Sequence, residues 1–509
     1  MSNLLFDTLF DQKSVDRIFI ELVDGRQWRY REFMDETARV ANALVSLGIK
    51  PGDRVAAQVD KSVSAIALYI GVIRAGAVFL PLNTAYTASE VEYFITDAEP
   101  ALLVCRPAAE ALLGPVAAST ETRLETLDSS GDMGSWPELV GKCDGLFENV
   151  SRGDHDLAAI LYTSGTTGRA KGAMLTHLNL ASNASTLTDL WQFSSDDVLL
   201  HALPIFHTHG LFVAINITLV ARASILFLPR FDVDEIVSVM PRATVLMGVP
   251  TFYTRLLDNP KFTLQRAQNM RLFVSGSAPL LKETHQAFYD RTGKAILERY
   301  GMTETNMNTS NPYNGDRRAG TVGFPLPDID IRITNPETGI ELANGEIGML
   351  EVKGPNLFKG YWRMKQKTAE DFRQDGYFIT GDLAMIDAQN YVVIVGRNKD
   401  LIISGGYNVY PKEVELEIDA LPGIVESAVI GLPHRDFGEA VTAVVVTEQD
   451  NAISEQNIMT EISNRLANYK QPRRIIFVAR LPRNSMAKVQ KNLLREEYKD
   501  TYSIQSTSV

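Results

Sequence analysis

Cysteine is nearly absent: Cys105 and Cys143 are the only two in 509 residues. Two thiols build neither a disulfide framework nor a cysteine zinc site, and a reducing compartment such as the cytoplasm is the expectation. There is no excess of positive charge either. The formal net charge of −12 speaks against nucleic acid or an anionic membrane as a partner, although a local basic cleft fits within an acidic average. The opening segment, MSNLLFDTLFDQKS, carries acids and lacks a basic region followed by an apolar run, so no signal or transit peptide is expected. The most apolar stretch, 210–229, is interrupted by Asn216 and Arg222 and divides into a helix and a strand, SILFLP. Internal repeats and low-complexity segments are missing, and STSV at the end carries no lipidation or retention signal.

What is present is a rhythm. RVAAQV, AVFLPL, ALLVC, AAILYT, VLLHAL, SILFLP, TVLMGV and RLFVSG read as buried strands, each followed by a turn and a helical pattern. That alternation predicts βαβ units on mostly parallel sheets. The turns TSGTTG, PIFHTHG, PTFYTR and SGSAP each follow a strand, and in open α/β sheets ligands bind beyond the carboxyl ends of strands. After about residue 320 the pattern shifts to short strands with Asn344-Gly345 as a hairpin turn, and beyond Asp400 the chain restarts as a small α+β unit.

The segment Thr163-Ser164-Gly165-Thr166-Thr167-Gly168-Arg169-Ala170-Lys171-Gly172 suits a phosphate cradle. Glycine lets backbone N–H groups approach closely, and hydroxyls and a lysine add donors. It is not a Walker A loop. Counted from Gly165, Ala170 stands where the second glycine belongs and Gly172 where the Mg²⁺-holding Ser/Thr belongs.

YTSGTTGRAKG resembles the phosphate loop of the adenylate-forming superfamily, which includes acyl-CoA synthetases, peptide-synthetase adenylation domains and beetle luciferases. The resemblance extends over nearly the whole chain. Tyr300-Gly301-Met302-Thr303-Glu304 resembles the family's Y-G-x-T-E element, Thr380-Gly381-Asp382-Leu383 its T-G-D segment, and Gly396-Arg397-Asn398-Lys399-Asp400 its hinge. Pro482-Arg483-Asn484-Ser485-Met486-Ala487-Lys488 resembles its C-terminal lysine loop. The resemblance implies an N-terminal adenylation domain over 1–396, binding ATP and the acid. It comprises parallel α/β sheets plus a small β-barrel-like subdomain. A hinge at 397–400 and a small mobile α+β domain over 401–509 follow.

Roles are implied residue by residue. Thr163, Ser164, Gly165, Thr166, Thr167, Gly168 and Lys171 would bind the ATP phosphates. Glu304 would ligate Mg²⁺, which favours hard oxygens, with Thr303 donating to a phosphate oxygen. Tyr300 would stack on adenine beside Gly276, Ala278, Pro279, Arg299 and Gly301. Asp382 would accept the ribose hydroxyls, supported by Arg397; a structural ion pair is the competing reading. Lys488 would stabilise the charge that develops when a carboxylate attacks the α-phosphorus. Ala487 departs from the family's usual glycine, and if positive φ is required there it costs about 1 kcal/mol. Asp400 would be the pivot that withdraws Lys488 and brings Gly405-Gly406 to the cleft for transfer to coenzyme A. The resemblance also implies that lysine acyltransferases and deacylases act on Lys488.

For the acid, GVPTFYTRLL, GSAPLL and ERYGMTETNMNTSNPY resemble the malonyl-CoA synthetases. By that resemblance Arg255, Ser277 and Arg299 would bind the distal carboxylate and His207 would border the acyl pocket. Arginine's fork suits a carboxylate, and a buried cation calls for a partner. A bridge from Arg299 to Glu298, a surface position for Arg255 and a structural role for His209 are the competing readings. The implied activity is ATP-dependent formation of malonyl-CoA through malonyl-adenylate, with Mg²⁺ as cofactor and ATP and coenzyme A as co-substrates. A short or aryl monocarboxylate substrate stays open, as does a non-catalytic AMP-binding relative.

Overall fold

Val78–Pro81, Leu102–Cys105 and Val245–Gly248 are buried at every position. Short apolar runs become such strands when helices cover both faces of a parallel sheet. The computed structural model describes residues 2–10, 16–163, 170–405, 407–434, 436–448, 453–463, 465–484 and 488–502.

The chain divides into two compact units, one of Met1–Asp330 with Val352–Phe378, the other of Ile331–Glu351 with Ile379–Val509. In the first, a six-stranded sheet runs in the order Arg123–Thr126, Leu102–Cys105, Arg54–Gln58, Val78–Pro81, Leu157–Thr163, Lys171–Thr176. A nine-stranded sheet has Leu297–Met302, Leu272–Ser275, Val245–Gly248 and Val198–His201 as successive neighbours. Pairing is parallel among the interior strands, as the sequence rhythm predicts. The helix Tyr30–Ser46 is followed by Gly48 at φ +79°, the left-handed conformation that ends a helix without a Cβ penalty.

One segment departs from the rhythm. AAILYT leads to a second strand, Lys171–Thr176, paired antiparallel with Leu157–Thr163, and not to a helix. The glycine-threonine segment therefore joins two strands of a hairpin. KGAMLT places two apolar residues among small and polar ones, too short a pattern to separate strand from helix by period alone.

The second unit holds a four-stranded sheet, Asp330–Thr334, Gly348–Lys353, Phe378–Ile386 and Val392–Arg397 in that order, and a five-stranded sheet dominated by the antiparallel pair Ile424–His434 and Gly438–Thr447. The helix Pro411–Asp419 packs on the strand Val392–Arg397, within the same compact unit. No described helix is long and apolar enough to cross a membrane.

Candidate functional site

The hairpin that carries the phosphate-type segment is anchored from outside. Tyr93 donates to the Ala170 carbonyl at 2.8 Å, and the Thr163 hydroxyl donates to the Lys171 carbonyl at 3.4 Å. Tyr162 donates to Asp97, whose carbonyl accepts from the Trp362 indole at 3.0 Å. Ser164, Gly165, Thr166, Thr167, Gly168 and Arg169 lie outside the described residues.

Gly301 explains the next feature. A Cβ there would meet the Asn306 carbonyl oxygen at 1.8 Å, so only glycine admits the close pairing of Leu297–Met302 with Asn306–Ser310. The turn between them presents Thr303, half-buried, and Glu304, buried. The Tyr361 hydroxyl donates to Glu304 Oε1 at 3.1 Å, while the Lys171 ammonium stands 4.3 Å from the Tyr361 ring centroid and 4.0 Å from Asp371 Oδ2. The structure thus brings Lys171 and Glu304 together through a side chain that the sequence reading did not single out.

Arg299 is the centre of a second cluster. Successive side chains of a strand face opposite sides, and the Glu298 carboxylate accepts from the Gly320 N–H at 3.0 Å and contacts His285 Nδ1 at 3.3 Å. The bridge between Arg299 and Glu298 does not form. Arg299 is buried, its Nε and Nη2 have no hydrogen-bond partner among the described residues, and burial pulls its pKa down to about 9. The cation remains charged at neutral pH and has no counter-ion among the described residues.

Gly276 makes room for it, since a Cβ at that position would lie 2.4 Å from Arg299 Cζ. The resemblance places Gly276 beside adenine; within the structure it also gives clearance to the guanidinium. Gly276→Ala is expected to destabilise the protein by about 1–3 kcal/mol through overpacking, read as a lower urea midpoint. An unchanged midpoint would show that the guanidinium yields without cost.

Ser277 sits beside this cation with φ +71°, and its hydroxyl lies 3.4 Å from His209 Nδ1. Burial, then the Arg299 charge, holds His209 well below the usual histidine range, so it is neutral. Its Nε2 is buried and unpartnered. His209 and half-buried His207 share the PIFHTHG turn, where the His209 N–H approaches His207 Nδ1 at 3.5 Å. His201 Nε2 donates to the Gly210 carbonyl at 2.8 Å, fixing the start of the π-helix His209–Ile215.

The structure does not bring Arg255 into this cluster. Arg255 is exposed in the last turn of the helix Pro250–Asp258, 5.8 Å from the Phe231 ring centroid. Among the described residues no hydrogen bond or ion pair links it to Arg299 or Ser277. Tyr300 is half-buried, Ala278 half-buried and Pro279 exposed.

In the second unit, Asp382 and Arg397 oppose each other across paired strands and form an ion pair at 2.7 Å. Asp400 ends a 3₁₀ turn and pairs with Arg495 at 2.6 Å. Lys488 is exposed. Its N–H donates to Asn484 Oδ1 at 3.0 Å, and its carbonyl accepts from the Asn484 N–H at 2.9 Å. Ion pairs flank this loop, Arg483 with Glu426 before it and Lys491 with buried Glu415, at 2.5 Å, after it. Gly406 and Ala487 lie outside the described residues.

Tyr361 and Asp371 left little trace in the sequence. KGYW carries no spacing rule, and only the fold returns it to the hairpin. A buried arginine beside a strand-end glycine was the nearest legible signal of the second cluster.

The profile of AMP-binding enzymes matches residues 8–362, and that of the AMP-binding enzyme C-terminal domain matches 413–488. A malonate–CoA ligase of Arabidopsis thaliana is 34% identical, over 95% of this chain and 86% of that protein. A feruloyl-CoA synthase of Amycolatopsis is also 34% identical, over 93% and 94%. The crystal structure of ATP-bound MatB from Rhodopseudomonas palustris is similar at 58% identity and a TM-score of 0.97, covering 99% of this chain and 100% of that one.

Proposed function

Because the chain belongs to the AMP-binding enzyme family, we propose that it is an AMP-forming acid–CoA ligase that makes malonyl-CoA from malonate and ATP. The observation that carries the choice of acid is the buried Arg299 guanidinium with unpartnered Nε and Nη2 beside His209 and Ser277. A methyl-ended acid leaves that cation unpaired, whereas the distal carboxylate of malonate supplies two acceptor oxygens in the geometry a guanidinium favours.

In the first step a malonate carboxylate oxygen forms a bond to the α-phosphorus. The bond from that phosphorus to the β-phosphate oxygen breaks, and pyrophosphate leaves with the electron pair. Thr163 to Gly168 and Lys171 hold the β- and γ-phosphates, Tyr300 stacks on adenine, and Asp382 with Arg397 holds the ribose. Lys488 would act between the two anions, where a cation stabilises charge that grows toward the transition state.

Among the described residues no group of three or more His, Cys, Asp or Glu is placed to hold a metal. A single buried carboxylate, Glu304, suits Mg²⁺, which takes one or two carboxylates and completes its shell with phosphate oxygens and water. When bound, that ion offsets phosphate charge. Thr303 donates beside it.

In the second step the coenzyme A sulfur bonds to the acyl carbon. The carbon–oxygen bond to phosphate breaks, and AMP leaves. Rotation at Asp400 exchanges Lys488 for the Gly405-Gly406 segment between the steps. The exposure of Lys488 also suits it as a target for lysine-modifying enzymes. Unpaired Cys105 and Cys143 fit a reducing compartment, the cytoplasm.

The feruloyl-CoA synthase match keeps an aryl monocarboxylate as the second reading. Pyrophosphate release across malonate, acetate, butyrate and coumarate, with and without coenzyme A, separates the two. Malonate is expected to exceed the others by at least about tenfold, the consequence of roughly 1.4 kcal/mol of selective binding. Butyrate turning over as well as malonate would end the first reading.

A further inference from the structure

Tyr361 is locked to two elements at once. Its segment pairs with the strand Lys171–Thr176: Ala173 and Tyr361 form an antiparallel bridge, Trp362 N–H donates to the Gly172 carbonyl at 2.7 Å, and Met174 N–H donates to the Gly360 carbonyl at 3.0 Å. A few residues earlier, Phe358 N–H donates to the Glu304 carbonyl at 2.9 Å. The backbone therefore ties the lysine-bearing strand to the glutamate-bearing turn, and the Tyr361 side chain repeats the tie.

The hydroxyl reaches Glu304 Oε1 at 3.1 Å, and the ring face lies 4.3 Å from the Lys171 ammonium. Tyr361 is 3% exposed and packs edge-on against Phe358 with centroids 4.8 Å apart, so the ring has little freedom to turn. The phenol O–H is the donor of the pair with Glu304 and the carboxylate the acceptor.

We propose that Tyr361 is a positioning residue that orients the Glu304 carboxylate toward Mg²⁺ while holding Lys171 at the leaving phosphates. The inference rests on the roles given above to Glu304 and Lys171. A donor on one carboxylate oxygen fixes the rotation of the group, so the other oxygen points in a set direction. Partners of this kind commonly change metal affinity by about 10- to 100-fold when removed. The ring acts separately, as a neutral surface that attracts the ammonium without neutralising it. Asp371 is the charged neighbour of the same ammonium, at 4.0 Å.

Two variants separate the functions. Tyr361→Phe keeps the ring and removes the hydroxyl. Tyr361→Leu removes both. Mn²⁺ binding to the enzyme with a non-hydrolysable ATP analogue, followed by electron paramagnetic resonance, reads the metal directly. The analogue's own affinity in EDTA reads Lys171 without metal.

Tyr361→Phe is expected to weaken Mn²⁺ about tenfold and to leave metal-free nucleotide affinity within about twofold. Tyr361→Leu is expected to weaken both. Glu304→Gln is the reference. If it weakens Mn²⁺ and Tyr361→Phe does not, the positioning role is wrong. If neither weakens it, the assignment of Glu304 is wrong. If Tyr361→Phe fails to fold, the hydroxyl serves the fold, and the positioning role is likewise overturned.

Discussion

Arg299→Leu is expected to lower kcat/KM for malonate by about two to three orders of magnitude and to affect butyrate far less. Truncating one partner of a buried charge pair costs about 2–5 kcal/mol, and each 1.4 kcal/mol or so is a factor of ten. The free enzyme should respond differently. Arg299 is buried with two unpartnered nitrogens, so an apolar replacement removes an uncompensated cation, and such exchanges are often neutral or stabilising. The melting temperature should hold or rise even as malonate turnover collapses. Loss of stability together with an equal fall for every acid would assign Arg299 to folding and remove the main support for a dicarboxylate.

Lys488→Ala should separate the two half-reactions. Pyrophosphate release is expected to drop by about 10²- to 10³-fold, the usual effect of removing one electrostatic stabiliser of a transition state. Thioester formation from supplied malonyl-AMP should stay within a few-fold of wild type. The Asn484 side chain accepts from the Lys488 N–H, and Arg483 and Lys491 form ion pairs on either side. Failure of both half-reactions together would contradict an exchange of Lys488 and Gly405-Gly406 at one cleft.

Much of this was legible before any coordinates. The parallel strands announced themselves because residues buried on both faces must be apolar throughout. Asp382 and Arg397, far apart in a motif list, turned out to be cross-strand neighbours. Other features left no such trace. The hairpin after Thr163 was read as a strand followed by a helix, since a six-residue segment does not define a period. Arg255 stands among aromatic residues in PTFYTRLL, yet Phe252 and Tyr253 are buried and Arg255 is exposed, the surface position named as the competing reading. Tyr361 was invisible for a different reason. Its partners, Lys171 and Glu304, are distant along the chain, and their meeting depends on an edge pairing that no local pattern encodes.

The contact between Gly276 and Arg299 also constrains how such a chain can change by descent. A side chain introduced first at 276 meets the guanidinium at 2.4 Å, so that lineage is burdened before any new substrate is gained. Loss of the arginine first opens the space, and a larger residue at 276 then becomes tolerable. Where the guanidinium does not yield, the two substitutions are ordered, position 299 before position 276. Chains that retain this glycine after losing the arginine would preserve a record of which pocket came first.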